Sequence, residues 1–153
     1  MRELKIENQK CTGHVFLHSM PGTHDELVED FLLDVNRFKI GTVLSLVEAE
    51  ERSHKSPDYD QLILSGDLPF ELIEFPIPDY CKPPDMDAFC RTMVNVAETV
   101  MQGKTLLIHC SAGWGRTGMA AFHLLLALGI DERTAAESVR RAGANPPPPT
   151  FLP

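Results

Sequence analysis

The chain has 153 residues, 43% hydrophobic and 24% charged, which suits one soluble globular domain with a sizeable core. Its net charge of −8 argues against a general nucleic-acid or anionic-membrane surface, so an anionic ligand must be met by a local positive site. No apolar run approaches a membrane span, residues 1–5 lack the apolar core of a signal peptide, and Cys11, Cys81, Cys90 and Cys110 form no C-x-x-C pair; a reduced, cytoplasmic setting is expected.

In chain order, residues 15–18 read as a strand that ends at the Met20-Pro21-Gly22 turn. Thr23-His24-Asp25-Glu26 has the form of a capping box, with a hydroxyl at the N-cap and a carboxylate three residues later. It predicts a helix with Leu27, Phe31, Leu32, Val35 and Phe38 on one face, ended before Gly41. Residues 42–46 have the composition of a buried strand, and residues 48–66 read as short helix mixed with loop, including the run from Tyr59 to Leu64. Residues 71–77 alternate like a strand, stopped by Pro76 and Pro78. Asp85 begins a helix to about Gln102, in which Met86, Phe89, Met93, Val96 and Val100 step by three and four, and Gly103 is its C-cap. Residues 105–108 form another strand and residues 117–128 an apolar helix ended by Gly129; Asp131 caps a last helix to about Ala142. Strands alternating with helices predict an α/β fold, a mostly parallel central sheet flanked by helices on both faces. Residues 1–145 form the domain and residues 146–153 the proline-rich tail; the run 145–150, Asn-Pro-Pro-Pro-Pro-Thr, cannot be helical. It is expected as extended polyproline II, a linker whose other use is docking in a proline-recognition groove.

The connection His109-Cys110-Ser111-Ala112-Gly113-Trp114-Gly115-Arg116-Thr117-Gly118 carries the chemistry. Such a strand-to-helix loop aims successive N–H groups inward, and the helix adds the positive end of its dipole. A tetrahedral dianion fits there, with the Cys110 thiol beneath it. Arg116 offers two parallel donors to such an anion, which lysine cannot reproduce. A helix N-terminus and a nearby guanidinium favour the reactive thiolate form of a cysteine. Gly113 and Gly115 read as positions whose backbone angles a side chain would forbid. Alone, Cys110 would read as a buried inert thiol; the arginine after five intervening residues, the glycines and the strand-to-helix context point to a reactive one.

Two look-alike patterns fail. The G-x-G-x-x-G from Gly113 to Gly118 is followed by no strand with an acidic end, as a dinucleotide fold requires. Gly103-Lys104-Thr105 looks like the end of a Walker A motif, but Glu98 stands at its first glycine position.

His109, Cys110, Gly113, Arg116 and Thr117 together spell H-C-x-x-G-x-x-R-T. This resembles the signature of the cysteine-dependent protein tyrosine phosphatase superfamily, and the chain's size and the motif's position look most like its small dual-specificity branch. The resemblance covers the element order of about residues 14–142, with only the loop specific at the level of sequence. It implies a dual-specificity phosphatase-like fold and hydrolysis of phosphotyrosine, with phosphoserine and phosphothreonine, in proteins. The route is a phosphocysteine intermediate, with no metal and no cofactor. By the family pattern Cys110 is the nucleophile and Arg116 grips the phosphoryl group. Thr117 bonds the sulfur and eases its departure, His109 braces the loop, and Ser111, Ala112, Gly113, Trp114 and Gly115 complete the substrate cradle. The family's general acid lies on a loop, and Asp79, 31 residues before Cys110 at the end of Phe75-Pro76-Ile77-Pro78-Asp79, fits that place. Asp85 and Asp87 look instead like a helix cap and a first-turn residue.

Trp114 stands where the branch more often has a smaller aliphatic residue, and reads either as pocket wall or as packing at the loop base. Cys81 is a candidate resolving partner for Cys110 under oxidation, against a plain packing cysteine. His14, His18, His24, His54 and His123 show no ligand spacing and read as structural. Three other functions fit the sequence less well. A phosphoinositide or other small phosphoester keeps the chemistry, and the uncharged Ser111, Ala112 and Trp114 tilt away from polyphosphorylated headgroups. A non-catalytic phosphate-binding module sits poorly with Cys110, Arg116, Thr117 and Asp79 all present, and a rhodanese-type transferase sits poorly with the full motif. The branch normally closes with a further helix where this chain has its proline tail.

Overall fold

The structure, a computed structural model, describes residues 1–148. Its elements are β1 (Arg2–Leu4), β2 (His14–His18), α1 (Val28–Arg37), β3 (Ile40–Ser45), α2 (Ala49–Lys55), α3 (Pro57–Ser65), β4 (Glu71–Glu74), α4 (Met86–Met101), β5 (Thr105–His109), α5 (Gly115–Ala127) and α6 (Glu132–Arg141). One five-stranded sheet has the order β1-β2-β5-β3-β4. It is parallel throughout except for β1, which runs antiparallel to β2. β2 and β5 are buried at all but their first residues, as strands covered on both faces must be. On α4 the predicted stripe turns inward through Phe89, Met93, Val96 and Val100, while Met86 at its start stays 38% exposed.

The expected fold class is therefore the observed one, with local differences. β1 has no signal in a charged N-terminus, yet Leu4 is buried and the strand pairs Arg2 with Leu17. The capping box at Thr23 does not form. Thr23 Oγ1 donates to the Met20 carbonyl at 2.6 Å, and His24 and Asp25 adopt left-handed backbone angles. Glu26 turns instead to His18 Nε2 at 2.8 Å, and α1 starts after Leu27, whose N–H donates to Asp30. The polar segment after β3 resolves into two helices, α2 and α3. The caps at Asp85 and Asp131 form as expected, accepting from the N–H groups of Ala88 and Thr134. Residues 144–148 carry no helix or strand. Residues 149–153, and with them the last two positions of the expected polyproline run 145–150, lie outside the described residues.

The parallel register brings the C-terminal ends of three strands together: His18 and Ser45 both stand opposite His109. In a parallel α/β sheet this edge is where ligands bind. β5 delivers its loop there.

Candidate active site

The loop from Cys110 to Trp114 is held from outside at four of its five carbonyls, those of Cys110, Ser111, Gly113 and Trp114. The Leu46 N–H donates to the His109 carbonyl at 3.0 Å and the Met20 N–H to that of Ser111 at 2.9 Å. His109 Nδ1 donates to the Cys110 carbonyl at 3.0 Å, and Arg2 Nη2 to the Gly113 carbonyl at 2.7 Å. The Trp114 carbonyl accepts from Gly118 at 2.9 Å and from Asn145 at 3.1 Å. A carbonyl and the N–H of the next residue point opposite ways across a trans peptide plane. Tying the carbonyls outward therefore turns the N–H groups inward, and among the described residues those of residues 111–116 donate to no protein group. The result is a nest of backbone donors at the start of α5.

Cys110, the first residue of that loop, is 3% exposed and without a disulfide partner. His109 beside it is fully buried, and burial holds its ring down to about 4, so it is neutral near pH 7. The neutral ring donates through Nδ1 and accepts the Tyr59 hydroxyl at Nε2, 2.9 Å away. This is a bracing geometry, with no proton free for transfer.

Arg116, 4% exposed on the first turn of α5, is gripped from α2. Its Nη1 and Nη2 donate to the two carboxylate oxygens of Glu51 at 2.7 Å each, and Nη1 also donates to the Ile77 carbonyl at 2.9 Å. These Arg116 bonds, working against burial and joined by one from Lys55, pull the Glu51 carboxyl down to about 2. Asp79 Oδ1 stands 3.2 Å from Arg116 Nη2. Lys55, one helical turn beyond Glu51, donates to Glu51 at 3.1 Å and to Ser111 Oγ at 2.9 Å, and lies 4.0 Å from Asp79. The structure thus brings Cys110, Arg116 and Asp79 to one edge and adds Glu51, Lys55, Tyr59 and Arg2. Sequence reasoning missed all four. The Glu51-to-Lys55 spacing on a polar helix was the only local signal, and it reads equally as a surface ion pair.

Among the described residues, no His, Cys, Asp and Glu group could hold a metal ion.

Across residues 15–146 the chain matches the model of the DSP-PTPase phosphatase domain of the Swiss Army Knife proteins, PTP-SAK. The chain belongs to this family. The loop of this family member, residues 110–116, lies within the matched span. A candidate tyrosine-protein phosphatase of Cupriavidus necator is 35% identical over 80 residues, covering 44% of this chain and 29% of that protein. The chain thus spans about a third of that curated relative. In fold, the kinase-associated phosphatase bearing serine for its catalytic cysteine gives a TM-score of 0.78 at 23% identity, with 92% of this chain and 82% of the other covered. Tk-PTP in its active form gives 0.63 at 27% identity, with 92% and 84% covered.

Within this DSP-PTPase domain, four expectations change. Gly115 has no left-handed angle, and a Cβ there would meet nothing within 4 Å, so it is not required for loop geometry. Gly113 is required: its φ is 78°, and a Cβ would lie 2.7 Å from the His18 carbonyl oxygen. Thr117 Oγ1 is buried with no hydrogen-bond partner among the described residues, so the expected bond to the Cys110 sulfur is not formed. Trp114 is 59% exposed, which removes packing at the loop base as its role. The helix after the loop starts at Gly115, two residues before the expected Thr117. Cys81 is exposed and its thiol is free. Of the histidines read as structural, His18 is fixed by Glu26 and burial pushes it down to about 4.

Proposed function

We propose that this chain hydrolyses phosphotyrosine, and with it phosphoserine and phosphothreonine, in proteins through a phosphocysteine on Cys110. One observation carries the reading: carbonyls tied outward leave the N–H groups of residues 111–116 without a protein acceptor among the described residues, in the loop that joins a buried thiol to a buried arginine. Donors fixed before substrate arrives stabilise the charge that spreads over the phosphoryl oxygens in the transition state. Glu51 holds Arg116 from behind through both terminal nitrogens, which leaves Nε and the outer side of Nη2 for substrate. A phosphoryl oxygen there competes with Asp79 for Nη2 and frees the carboxyl group for the leaving oxygen.

In the first step the Cys110 sulfur attacks phosphorus, the bond to the leaving oxygen breaks, and Asp79 delivers its proton to that oxygen. In the second, Asp79 takes a proton from water as the water oxygen attacks phosphorus. The S–P bond breaks and the thiolate returns. The Thr117 hydroxyl, which has no hydrogen-bond partner among the described residues and makes no bond to the sulfur before substrate binds, is the donor assigned to the sulfur as it departs. Cys110→Ser should abolish turnover while leaving phosphate-ester binding intact. Asp79→Ala should slow alkyl phosphates, with their poor leaving groups, far more than aryl phosphates. Full activity of Asp79→Ala on an alkyl phosphate near neutral pH would remove Asp79 from this role.

A second reading has one observation in its favour. Lys55 places a cation 2.9 Å from Ser111 Oγ, at the rim, where a phosphoester with a second acidic group such as a phosphoinositide would meet it. Turnover of a phosphotyrosine peptide, a phosphothreonine peptide and a phosphoinositide side by side separates the two. A buried nucleophilic thiol and free cysteines suit a reducing, cytoplasmic setting. Residues 1–145 would act as the unit, with the tail as linker.

A further inference from the structure

We propose that Arg2, on the edge strand β1, is a positioning residue of the phosphate loop. Its guanidinium spans two carbonyls, Gly113 through Nη2 and Gly143 through Nη1, both at 2.7 Å. Gly113 O and Trp114 N–H share one trans peptide plane, so the pull of Arg2 on the oxygen aims that N–H the opposite way, into the nest. The neighbouring carbonyls of Ser111 and Trp114 are fixed by backbone donors; Gly113 depends on a side chain more than 100 residues distant in sequence.

Gly113 is also the loop residue with a left-handed backbone, at φ 78°, and as a glycine it has other backbone angles open to it. Without Arg2 this peptide can turn over, and a turned peptide presents an oxygen to the anion in place of a donor. The other arm reaches Gly143, two residues before Asn145, whose N–H holds the Trp114 carbonyl. One side chain therefore supports two successive carbonyls of the loop, one directly and one through the turn after α6.

The inference rests on the loop being the phosphoryl site, which orthovanadate inhibition of the unaltered protein checks separately. Arg2→Gln and Arg2→Lys are compared with Leu4→Ala, which weakens the same strand through its buried side chain at the position paired with Val15, toward the end of β2 away from the loop. kcat and KM for an aryl phosphate, the inhibition constant of orthovanadate and the Tm are read for each. Arg2→Gln should lower kcat/KM by about tenfold to a hundredfold and weaken orthovanadate by a similar factor, the range for displacing one preorganised donor. Arg2→Lys, which can reach one carbonyl but not both, should fall between. Leu4→Ala should lower Tm yet keep the orthovanadate constant within about twofold. Constants for Arg2→Gln and Arg2→Lys equal to those of the unaltered protein would overturn the proposal. Equal kinetic losses in Leu4→Ala would overturn it too, by reducing Arg2 to a staple of the strand. If Arg2→Gln does not fold, Arg2→Lys against Leu4→Ala decides.

Discussion

Glu51 decides where the Arg116 fork points. Its two carboxylate oxygens occupy the terminal nitrogens, and the Ile77 carbonyl fixes the remaining rotation. Glu51→Gln keeps the size but loses the charge-assisted pair, so Arg116 should wander by fractions of an ångström. A loss of about tenfold or more in kcat/KM, most of it in KM, is expected from steady-state kinetics with an aryl phosphate. Unchanged constants would mean that Arg116 aims itself. The Tyr59–His109 bond acts at the same scale but on stability. Tyr59→Phe leaves His109 Nε2 buried without its donor, at a cost of about 1–2 kcal/mol in urea unfolding, with the thiol still in place.

At the scale of elements, α5 and the segment after α6 approach so closely that only glycine fits between them. A Cβ on Gly118 would lie 2.6 Å from the Asn145 carbonyl carbon, against backbone that cannot swing aside. Gly118→Ala should destabilise by about 1–3 kcal/mol through overpacking, and should disturb the Asn145 bond to the loop; the urea midpoint checks it. The same contact marks the boundary of what the sequence makes legible. The loop was readable because thiol, glycines and arginine lie within a few residues, and the long helices because their apolar faces repeat at helical spacing. β1 was not, since three charged or apolar residues at an edge carry no period. The Thr23 box misled because Met20 and His18, both outside the motif, offered Thr23 and Glu26 better partners. Glu51, Tyr59 and Arg2 reach the site only through tertiary contacts, and their identities alone do not say so. Gly115 shows the converse: a glycine in a signature need not be there for its backbone.

Taken as a whole, the molecule should lose stability in acid in two overlapping windows. His109 and His18 are held at about 4, below the ordinary histidine value, so the unfolded chain binds protons first. Their contribution is complete above about pH 6.5 and is lost as pH falls toward 4. Glu51, held at about 2, adds stability that is present above its unfolded value and lost as pH falls from about 4.5 toward 2. Glu26, raised chiefly by burial, acts in the opposite sense and softens the drop. Urea midpoints should decline steadily from about pH 7 downward, and a flat profile to about pH 4 would show that neither imidazole is held below its ordinary value in the fold. The chemistry proposed for the molecule converges on one covalent species. Asp79→Ala, mixed with an aryl phosphate and quenched in acid, should carry one phosphoryl group on the peptide containing Cys110, as read by mass spectrometry. A label on any other residue, or hydrolysis that continues undiminished in Cys110→Ser, would contradict the account.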